Sequence, residues 1–198
     1  MGVLDDEKGL DLFWNKETEK STINIIKKDK INDKKIISIA PGATFFTKRW
    51  PVENFLKLID FINEKFKFHI CILGGPKDRE ISNVLIKKNN VIDYAGKLSL
   101  PETGIILAKS TALISNDTGL MHMATAVNTP VLAIFGSSVK ELGFSPYRGK
   151  SIVIENENLK CRPCSHIGRN NCPKKHFLCM NDITPGQVSE KFELLLRE

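Results

Sequence analysis

Long apolar runs are missing from this chain of 198 residues. No stretch reaches the roughly 18 consecutive apolar residues that a membrane-spanning helix needs, so no such helix is expected. The opening residues, MGVLDDEKGLDLF, are acidic where a secretory signal is basic, and no apolar segment follows them. We therefore expect a cytoplasmic protein.

Two common nucleotide-binding signatures are also missing. The pattern G-x-x-x-x-G-K-[ST] does not occur, which excludes a Walker A phosphate loop. No two Asp residues stand two positions apart, so an Asp-x-Asp chelate for a metal-bridged diphosphate is not expected. The charge of a diphosphate leaving group would instead have to be met by Lys48, Arg49 and helix N-termini.

The residues that are present describe a globular chain with an excess of positive charge. Hydrophobic residues make up 41% and charged residues 26%, which suits one domain, or one large domain with an appendage. The net charge of +6 indicates an anionic partner without separating nucleic acid, phosphates and membranes. Part of the excess lies at 160–179, where no acidic residue stands; a solvated loop is the alternative interpretation.

Short β-branched runs alternate with helical patterns after residue 34. We predict strands at 35–40, 68–73, 91–94, 111–115, 130–136 and 150–155. We predict helices at 51–66, 78–88, 100–110, 118–127 and 184–197, and a polar surface helix of low amphipathicity at 16–32. Continuous apolar strands are buried on both faces, so the class is α/β with a doubly wound parallel sheet. The division is an N-terminal helical and linker segment, 1–34, and a domain, 35–198.

A polar segment interrupts the apolar sequence ISNDTGLMHMATAV at 114–127. It follows a predicted strand and opens a helix, which is where parallel sheets bind ligands. Asp117 or Thr118 can cap the helix, and Gly119 allows close approach to the backbone. The unpaired N–H groups of the first turn then form an anion site. His122 shares the face of Thr118, off a predicted buried stripe of Leu120, Met123, Ala124 and Val127.

The alternative interpretation is that Asp117 only caps the helix and that His122 is a surface residue.

Two further loops follow strands. PGATFFTKRWP at 41–51 offers hydroxyls on Thr44 and Thr47 and charges on Lys48 and Arg49, which suit phosphate groups. LGGPKDRE at 73–80 has a glycine pair for a sharp turn, and its acids, Asp78 or Glu80, could accept hydrogen bonds from ribose hydroxyls.

Three segments of the chain carry a resemblance to a known family. They are SIAPGATFFTKRWPVENFLKL, CILGGPKDRE and LISNDTGLMHMATAVNTPVLAIFGSS. Together they resemble the ADP-heptose:lipopolysaccharide heptosyltransferases, above all the heptosyltransferase II group of glycosyltransferase family nine. The resemblance runs from about residue 35 to the end. It implies the C-terminal, Rossmann-like domain of the GT-B fold, which holds the nucleotide sugar for an inverting transfer of heptose from ADP-heptose to the lipopolysaccharide inner core.

Matched by motif, several residues correspond to donor-binding positions of that family. Lys48 resembles the phosphate-binding lysine, and Asp117 the acid near the sugar hydroxyls. Thr44 lies beside that lysine, and Asp78 or Glu80 matches the ribose-binding acid. Thr118 and Gly119 match the main-chain diphosphate contacts, and His122 matches the histidine of the same motif.

A full-length member of the family has a second, N-terminal domain, which the resemblance implies as the source of the acceptor site and the general base. This chain has no room for that domain, so we assign no catalytic residue. We expect a donor-binding domain, truncated or separately encoded, that is inactive alone and joins an N-terminal GT-B domain in cis or in trans. The expected partners are ADP-heptose, the lipopolysaccharide core and, peripherally, the inner face of the inner membrane, but not nucleic acid.

Four cysteines cluster with the spacing Cys161-x2-Cys164-x7-Cys172-x6-Cys179, inside a Cys-rich segment at 160–180. Cys71 lies in a predicted strand and reads as a core residue. Because disulfides are rare in the cytoplasm, a structural zinc or iron ion on the four thiolates is one hypothesis. Reduced structural thiols and redox pairing are the others. No cofactor is expected to be required for the reaction.

Two other functions stay open. Another nucleotide-sugar enzyme of GT-B architecture, such as an epimerase, would keep the diphosphate site and change the sugar contacts. A basic, Cys-containing module could bind nucleic acid through 160–179, although Phe177 is the only aromatic residue there for base stacking. ADP binding in preference to UDP would separate a heptosyltransferase from the first alternative. Steeply salt-dependent RNA binding would favour the second alternative.

Overall fold

A six-stranded parallel sheet lies at the centre of the protein. The computed structural model describes residues 8–197; residues 1–7 and 198, and so the start of the predicted N-terminal segment, lie outside the described residues. The strands are β1 Ile36–Ala40, β2 His69–Ile72, β3 Val91–Asp93, β4 Ala112–Asn116, β5 Val131–Phe135 and β6 Ser151–Glu155. In space they follow the order β3-β2-β1-β4-β5-β6, and every neighbouring pair is parallel. The predicted α/β class is confirmed.

Helices cover both faces of this sheet. They are α1 Lys16–Lys28, α2 Val52–Lys65, α3 Arg79–Leu85, α4 Leu100–Ala108, α5 Gly119–Ala126, α6 Leu178–Asn181 and α7 Pro185–Arg197. Alternation along β1 shows how each strand serves two layers. Ile37 and Ile39 enter one core, whereas Ile36 and Ala40 enter the other. A continuous apolar strand is therefore what this position in the fold requires.

One face of the sheet is covered by α2 and α7. The predicted apolar stripe of α2 is confirmed, because Phe55, Leu58, Ile59 and Ile62 are all buried in the same core. The indole ring of Trp50 lies in that core and donates from Nε1 to the carbonyl oxygen of Ile183, at 2.8 Å. This bond links the loop before α2 to the segment before α7.

The other face is covered by α1, α4 and α5. Here one prediction is wrong: α1 is not a surface helix of low amphipathicity, since its own residues Thr22 and Ile26 are buried against the domain. The apolar residues are few, but they fall on one side, and Asn15 caps the first turn by accepting from Thr18 N at 2.8 Å. Farther along, the Tyr94 hydroxyl donates to Asp29 Oδ2, which fastens the end of α1 to the sheet. The described part of the N-terminal segment is thus packed on the domain.

The chain between β6 and α7 has little regular structure, and the short α6 is its only helix in the described residues. This stretch contains the Cys-rich segment, residues 160–180. Its inner end is anchored by Cys179 and Met180, which are buried in the same core as α2 and α7. Among residues 8–197, no helix combines the length and the apolar character that a bilayer crossing requires.

Truncating the core of α2 tests this packing. We expect Phe55→Ala to lower the free energy of unfolding by about 3–5 kcal/mol, because it removes a fully buried ring and leaves a cavity. The matched control is Phe13→Ala, whose ring is 82% exposed and whose loss should cost less than about 0.5 kcal/mol. Urea unfolding measures both. Equal costs for the two variants would contradict the assignment of this core.

Candidate functional site

The carboxyl ends of β1 and β4 meet where the strand order reverses. From β1 the chain continues outward through β2 and β3, whereas β4, β5 and β6 extend on the other side. Open parallel sheets bind their ligands in the crevice at such a point. Lys48 follows β1 and Asp117 follows β4, and their side chains form a salt bridge with 2.7 Å between Nζ and Oδ2. The two charges that the sequence predicts at one site are therefore in direct contact.

Lys48 is held by a single turn of 3₁₀ helix, Phe46–Lys48. Its side chain is only 11% exposed. The ring of Phe144 covers the ammonium group, with 5.3 Å from Nζ to the ring centroid. An ammonium group carries three N–H donors, and Asp117 takes one of them. Lys48 can therefore bind a further anion while it keeps its partner.

Asp117 is bound through one of its two carboxylate oxygens. Oδ2 accepts hydrogen bonds from Lys48 Nζ and from the Ser138 hydroxyl. Within residues 8–197, Oδ1 accepts none. Because the side chain is 4% exposed, its hydrogen bonds form in nearly dry surroundings and are stronger than they would be in water. One oxygen fixes the carboxylate, and the other is available to a hydroxyl group of a ligand.

Asn116 ties the loop of Lys48 to the end of β4. Its buried side chain donates from Nδ2 to the Pro41 carbonyl oxygen at 2.7 Å. Its Oδ1 accepts from the Trp50 backbone N–H at 3.1 Å. Both ends of the loop 41–51 are thus bonded to one side chain beside Asp117. This residue fixes the distance between the two turns that carry the ion pair.

The first turn of α5 faces this site without a side-chain cap. Thr118 occupies the N-cap position, but no side chain accepts a hydrogen bond from the first turn. The predicted cap by Asp117 or Thr118 is therefore wrong: Lys48 and Ser138 hold one Asp117 oxygen, and neither side chain accepts from the first turn of the helix. The Thr118 hydroxyl lies 3.2 Å from that of Ser115. Gly119 is exposed, and a Cβ atom there would meet nothing within 4 Å, so the helix end is open to an anion.

His122 lies one turn into α5. Burial lowers its pKa from the ordinary 6.5, while the Asp117 carboxylate opposes that shift. At neutral pH the imidazole is therefore mainly uncharged. The predicted buried stripe of α5 needs correction: Met121, Ala124 and Thr125 are the buried residues. The remaining predicted members, Leu120, Met123 and Val127, are only partly buried, because the helix is rotated toward Met121.

The hydroxyls of the loop 41–51 serve different purposes. Thr44 is exposed, as a ligand contact would be. Thr47 is buried, and its hydroxyl both donates to the Arg169 carbonyl oxygen, at 3.2 Å, and accepts from the Arg169 backbone N–H, at 2.8 Å. The prediction that Thr47 offers a hydroxyl to phosphate is therefore wrong. The residue instead connects the loop to the Cys-rich segment.

An open cleft of about 300 Å³ adjoins this loop, and Arg49 is among its lining residues. The third predicted loop lines it through Asp78 and Glu80. Asp78 is partly committed to the turn, because its Oδ2 accepts from Gly75 N at 2.8 Å. A Cβ atom at Gly42 would lie 1.9 Å from Asp78 Oδ1, so a larger residue at position 42 would displace this carboxylate. Glu80 is exposed and unconstrained by such contacts.

A family profile described as glycosyltransferase family 9 (heptosyltransferase) matches residues 8–175. The chain belongs to this family. The lipooligosaccharide heptosyltransferase 2 of Campylobacter jejuni, serotype O:6, is 32% identical over 171 residues, which is 83% of this chain and 52% of that protein. The chain spans about half the length of the curated relatives it matches.

Two solved structures share the fold. The ADP-heptose lipopolysaccharide heptosyltransferase II of Escherichia coli aligns with a TM-score of 0.74 and 26% identity, over 94% of this chain and 53% of its own. The family 9 glycosyltransferase of Veillonella parvula aligns with a TM-score of 0.84 and 23% identity, over 99% of this chain and 56% of its own. The heptosyltransferase resemblance and the Rossmann-like domain of GT-B type are thereby confirmed.

Within this family 9 chain, three positioning residues were not predicted as site residues. They are Asn116, Ser138 and Phe144. Ser137 and Ser138 lie in the loop after β5, so the same rule that selected the loops after β1, β2 and β4 could have selected them. Phe144 lies in the loop between β5 and β6, and no local sequence pattern predicts its contact with Lys48.

The four clustered cysteines are free thiols, and Cys179 lies close enough to the other three to interact with them electrostatically. Cys161 Sγ is 3.9 Å from Nε2 of His176. Burial raises the pKa of Cys179 to about 11, with smaller contributions from the neighbouring thiols. Within residues 8–197, no three side chains of His, Cys, Asp or Glu are arranged around a common ion position. The residues as placed do not form a metal site, and bound zinc or iron stays a prediction.

Elemental analysis decides that prediction. Protein purified without a histidine tag should contain one zinc or iron ion per chain if the four thiolates hold a metal. Thiol titration of the native protein is the control, because metal-bound cysteines should react slowly. Metal-free protein in which Cys161, Cys164 and Cys172 react promptly, while the buried Cys71 and Cys179 react slowly, would contradict the metal hypothesis.

The titration of His122 tests the electrostatics of the site. We expect NMR titration to give His122 a pKa below 6.5, and we expect Asp117→Asn to lower that pKa further, since the substitution removes the negative charge that favours the imidazolium. His69, at the other end of the sheet, is an internal control whose pKa should not respond to the substitution. A rise in the pKa of His122 in Asp117→Asn would contradict the proximity of the two residues.

Proposed function

We propose that this chain is the donor-binding domain of a heptosyltransferase that moves heptose from ADP-heptose to the inner core of lipopolysaccharide. The observation that carries the proposal is the Lys48–Asp117 salt bridge at the strand-order reversal, beside the open N-terminus of α5. A cation, a half-free carboxylate and unpaired amide N–H groups converge there. Family membership and the relatives' names supply the donor and the acceptor.

The diphosphate would lie between Lys48 and α5. Lys48 can direct two further N–H donors at phosphate oxygens without releasing Asp117. The first-turn N–H groups at Gly119, together with the positive end of the helix dipole, add to the binding of the anion. As the bond between the sugar and the diphosphate breaks, negative charge accumulates on the leaving group. These donors would then stabilise that charge without a metal chelate.

The heptose would lie next to Asp117. Its Oδ1 can accept a hydrogen bond from a sugar hydroxyl while Ser138 and Lys48 hold Oδ2. Because the carboxylate cannot swing away, it selects a hydroxyl at one position. The Thr118 hydroxyl and the uncharged imidazole of His122 are the neighbouring polar groups. They can donate or accept without adding charge next to the diphosphate.

The nucleoside would occupy the adjoining cleft. Glu80 is the better candidate for the ribose hydroxyls, since Asp78 is already engaged with the backbone of Gly75. The cleft also has an apolar side, formed by Val52, Ile81 and Val84, against which a base can pack. Thr44, exposed in the loop before Lys48, completes the set of predicted donor contacts.

Heptose transfer requires groups other than the donor-binding residues described above. An inverting reaction requires a base that takes the proton from the acceptor hydroxyl as it attacks. We assign no residue of this chain to that role. The base and the lipopolysaccharide core site would come from an N-terminal GT-B domain in cis or in trans, at the cytoplasmic face of the inner membrane. Of the five basic residues at 160–179, Arg162 is not offered to nucleic acid, because its side chain is buried and bound to Glu155.

Removal of the phosphate-binding cation is the first test. We expect Lys48→Ala to weaken ADP binding by about 1–3 kcal/mol, the range for losing a hydrogen bond to a charged group. Isothermal titration calorimetry measures the affinity, and circular dichroism checks that the variant is folded. Lys109→Ala, an exposed lysine between α4 and β4, is the matched control and should bind ADP normally. Unchanged ADP affinity in Lys48→Ala would contradict the placement of the phosphates.

Two further measurements delimit the proposal. The unsubstituted chain should bind ADP more tightly than UDP; a preference for UDP would favour another nucleotide-sugar enzyme. The isolated chain should also transfer heptose from ADP-heptose poorly or not at all, because the base and acceptor site are supplied elsewhere. Appreciable transfer by this chain alone would refute the donor-domain assignment.

A further inference from the structure

The Cys-rich segment contacts the turn of Lys48. Thr47, the residue before Lys48, makes three hydrogen bonds to the backbone of Arg169. Its N–H and its hydroxyl both donate to the Arg169 carbonyl oxygen, at 3.1 and 3.2 Å, and its hydroxyl accepts from the Arg169 N–H at 2.8 Å. Close packing adds to this joint, since a Cβ atom on Gly168 would lie 2.7 Å from Phe45 Cβ. The turn that aims Lys48 is therefore fixed from outside the sheet.

The same segment contacts the turn after β5 through Arg162. The guanidinium donates from Nε to the Gly136 carbonyl oxygen at 2.5 Å and from Nη2 to the Ser138 carbonyl oxygen at 2.6 Å. Nη2 also pairs with Glu155 Oε2 at 2.6 Å, and Nη1 donates to the Asn156 carbonyl oxygen at 2.7 Å. The Arg162 side chain is 5% exposed, so this fork of donors is buried and nearly saturated.

Ser138 passes this constraint to the ion pair. Its carbonyl oxygen is held by Arg162, and its hydroxyl donates to Asp117 Oδ2. Between the two turns, Ser137 N donates to the Thr47 carbonyl oxygen at 3.2 Å. The two turns and the Cys-rich segment form one connected set of hydrogen bonds around Lys48 and Asp117. None of these bonds is needed to build the sheet itself.

We propose that Arg162 is a positioning residue for donor binding, acting through Ser138 to orient the Asp117 carboxylate. This inference rests on the proposed function of the site. Without Ser138 in place, Lys48 is the only partner that Asp117 keeps among residues 8–197. The ammonium group is then drawn toward the carboxylate, and Oδ1 is no longer directed at the sugar. A site held rigidly before the donor arrives binds it more tightly, because less ordering is required on binding.

A double-mutant cycle tests the route from Arg162 to Asp117. Arg162→Lys keeps the charge beside Glu155, but one ammonium group cannot reach all four acceptors. Ser138→Ala removes the hydroxyl that holds Asp117. We expect each variant to weaken ADP-heptose binding about tenfold, and the double variant to be weaker than either single variant by no more than about twofold, because both act through one carboxylate. Calorimetry with ADP-heptose, and with ADP alone, gives the affinities.

The neighbouring serine is the matched control. Ser137 is as deeply buried as Ser138, but its hydroxyl has no hydrogen-bond partner in the described chain. Ser137→Ala should therefore leave donor affinity within about twofold and should not lower stability. The loss in Arg162→Lys should also be larger for ADP-heptose than for ADP, since Asp117 serves the sugar. A general loosening of the fold would weaken both ligands equally.

The outcomes separate the inference from the function. If the unsubstituted chain binds ADP but the two losses multiply to about a hundredfold in the double variant, Arg162 does not act through Ser138. Unchanged affinity in Arg162→Lys overturns the inference as well. If the unsubstituted chain does not bind ADP at all, the proposed function fails, and this inference fails with it.

If Arg162→Lys does not fold, Ser138→Ala alone tests the inference, and unchanged ADP-heptose affinity in that variant overturns it. A separate variant tests the contact of the Cys-rich segment with the turn of Lys48. Thr47→Val keeps the shape of the side chain and removes the hydroxyl that bonds to Arg169. We expect it to weaken ADP binding about threefold to tenfold through Lys48. Thr22→Val, which removes an equally buried hydroxyl in α1, is the control and should leave ADP binding unchanged. Equal ADP affinity in both variants would show that the Cys-rich segment does not position the site.

Discussion

The salt bridge between Lys48 and Asp117 is the interaction on which the rest of the site depends. Taking two charges out of water is costly, and a nearly buried pair often adds little net stability. Here the pair is supported by a serine hydroxyl on the carboxylate and an aromatic ring over the ammonium group. Because these contacts leave donors on Lys48 and one oxygen on Asp117 unused, the pair is better suited to receive a ligand than to stabilise the fold.

The parallel sheet explains why these two residues meet. Strands β1 and β4 are neighbours at the reversal of strand order, so the turns after them emerge side by side. Asn116 ties those turns to each other, and the Cys-rich segment ties them to the turn after β5. The outer segment, which contributes little regular structure, thereby acquires a clear physical role. It holds the turns after β1 and β5 through hydrogen bonds that do not belong to the sheet.

Sequence reasoning predicted the strands closely because continuous apolar runs leave few alternatives. It also brought Lys48 and Asp117 to one site, since residues after parallel strands share one end of a sheet. It failed where a side chain had several possible partners. Thr47 carries the same hydroxyl as Thr44, but it bonds to Arg169, more than a hundred residues away. Ile26 lies on the inner side of the charged helix α1. Its burial likewise depends on the packing of α1 against α4, which no local pattern specifies.

A crystal structure of this chain with ADP is the most direct test of the central claim. The account predicts phosphate oxygens within hydrogen-bonding distance of Lys48 Nζ and of the first-turn N–H groups of α5, with the Lys48–Asp117 contact preserved. The ribose should lie toward Glu80. Phosphates bound elsewhere, for example on the exposed lysines of the Cys-rich segment, with the crevice between β1 and β4 empty, would contradict it.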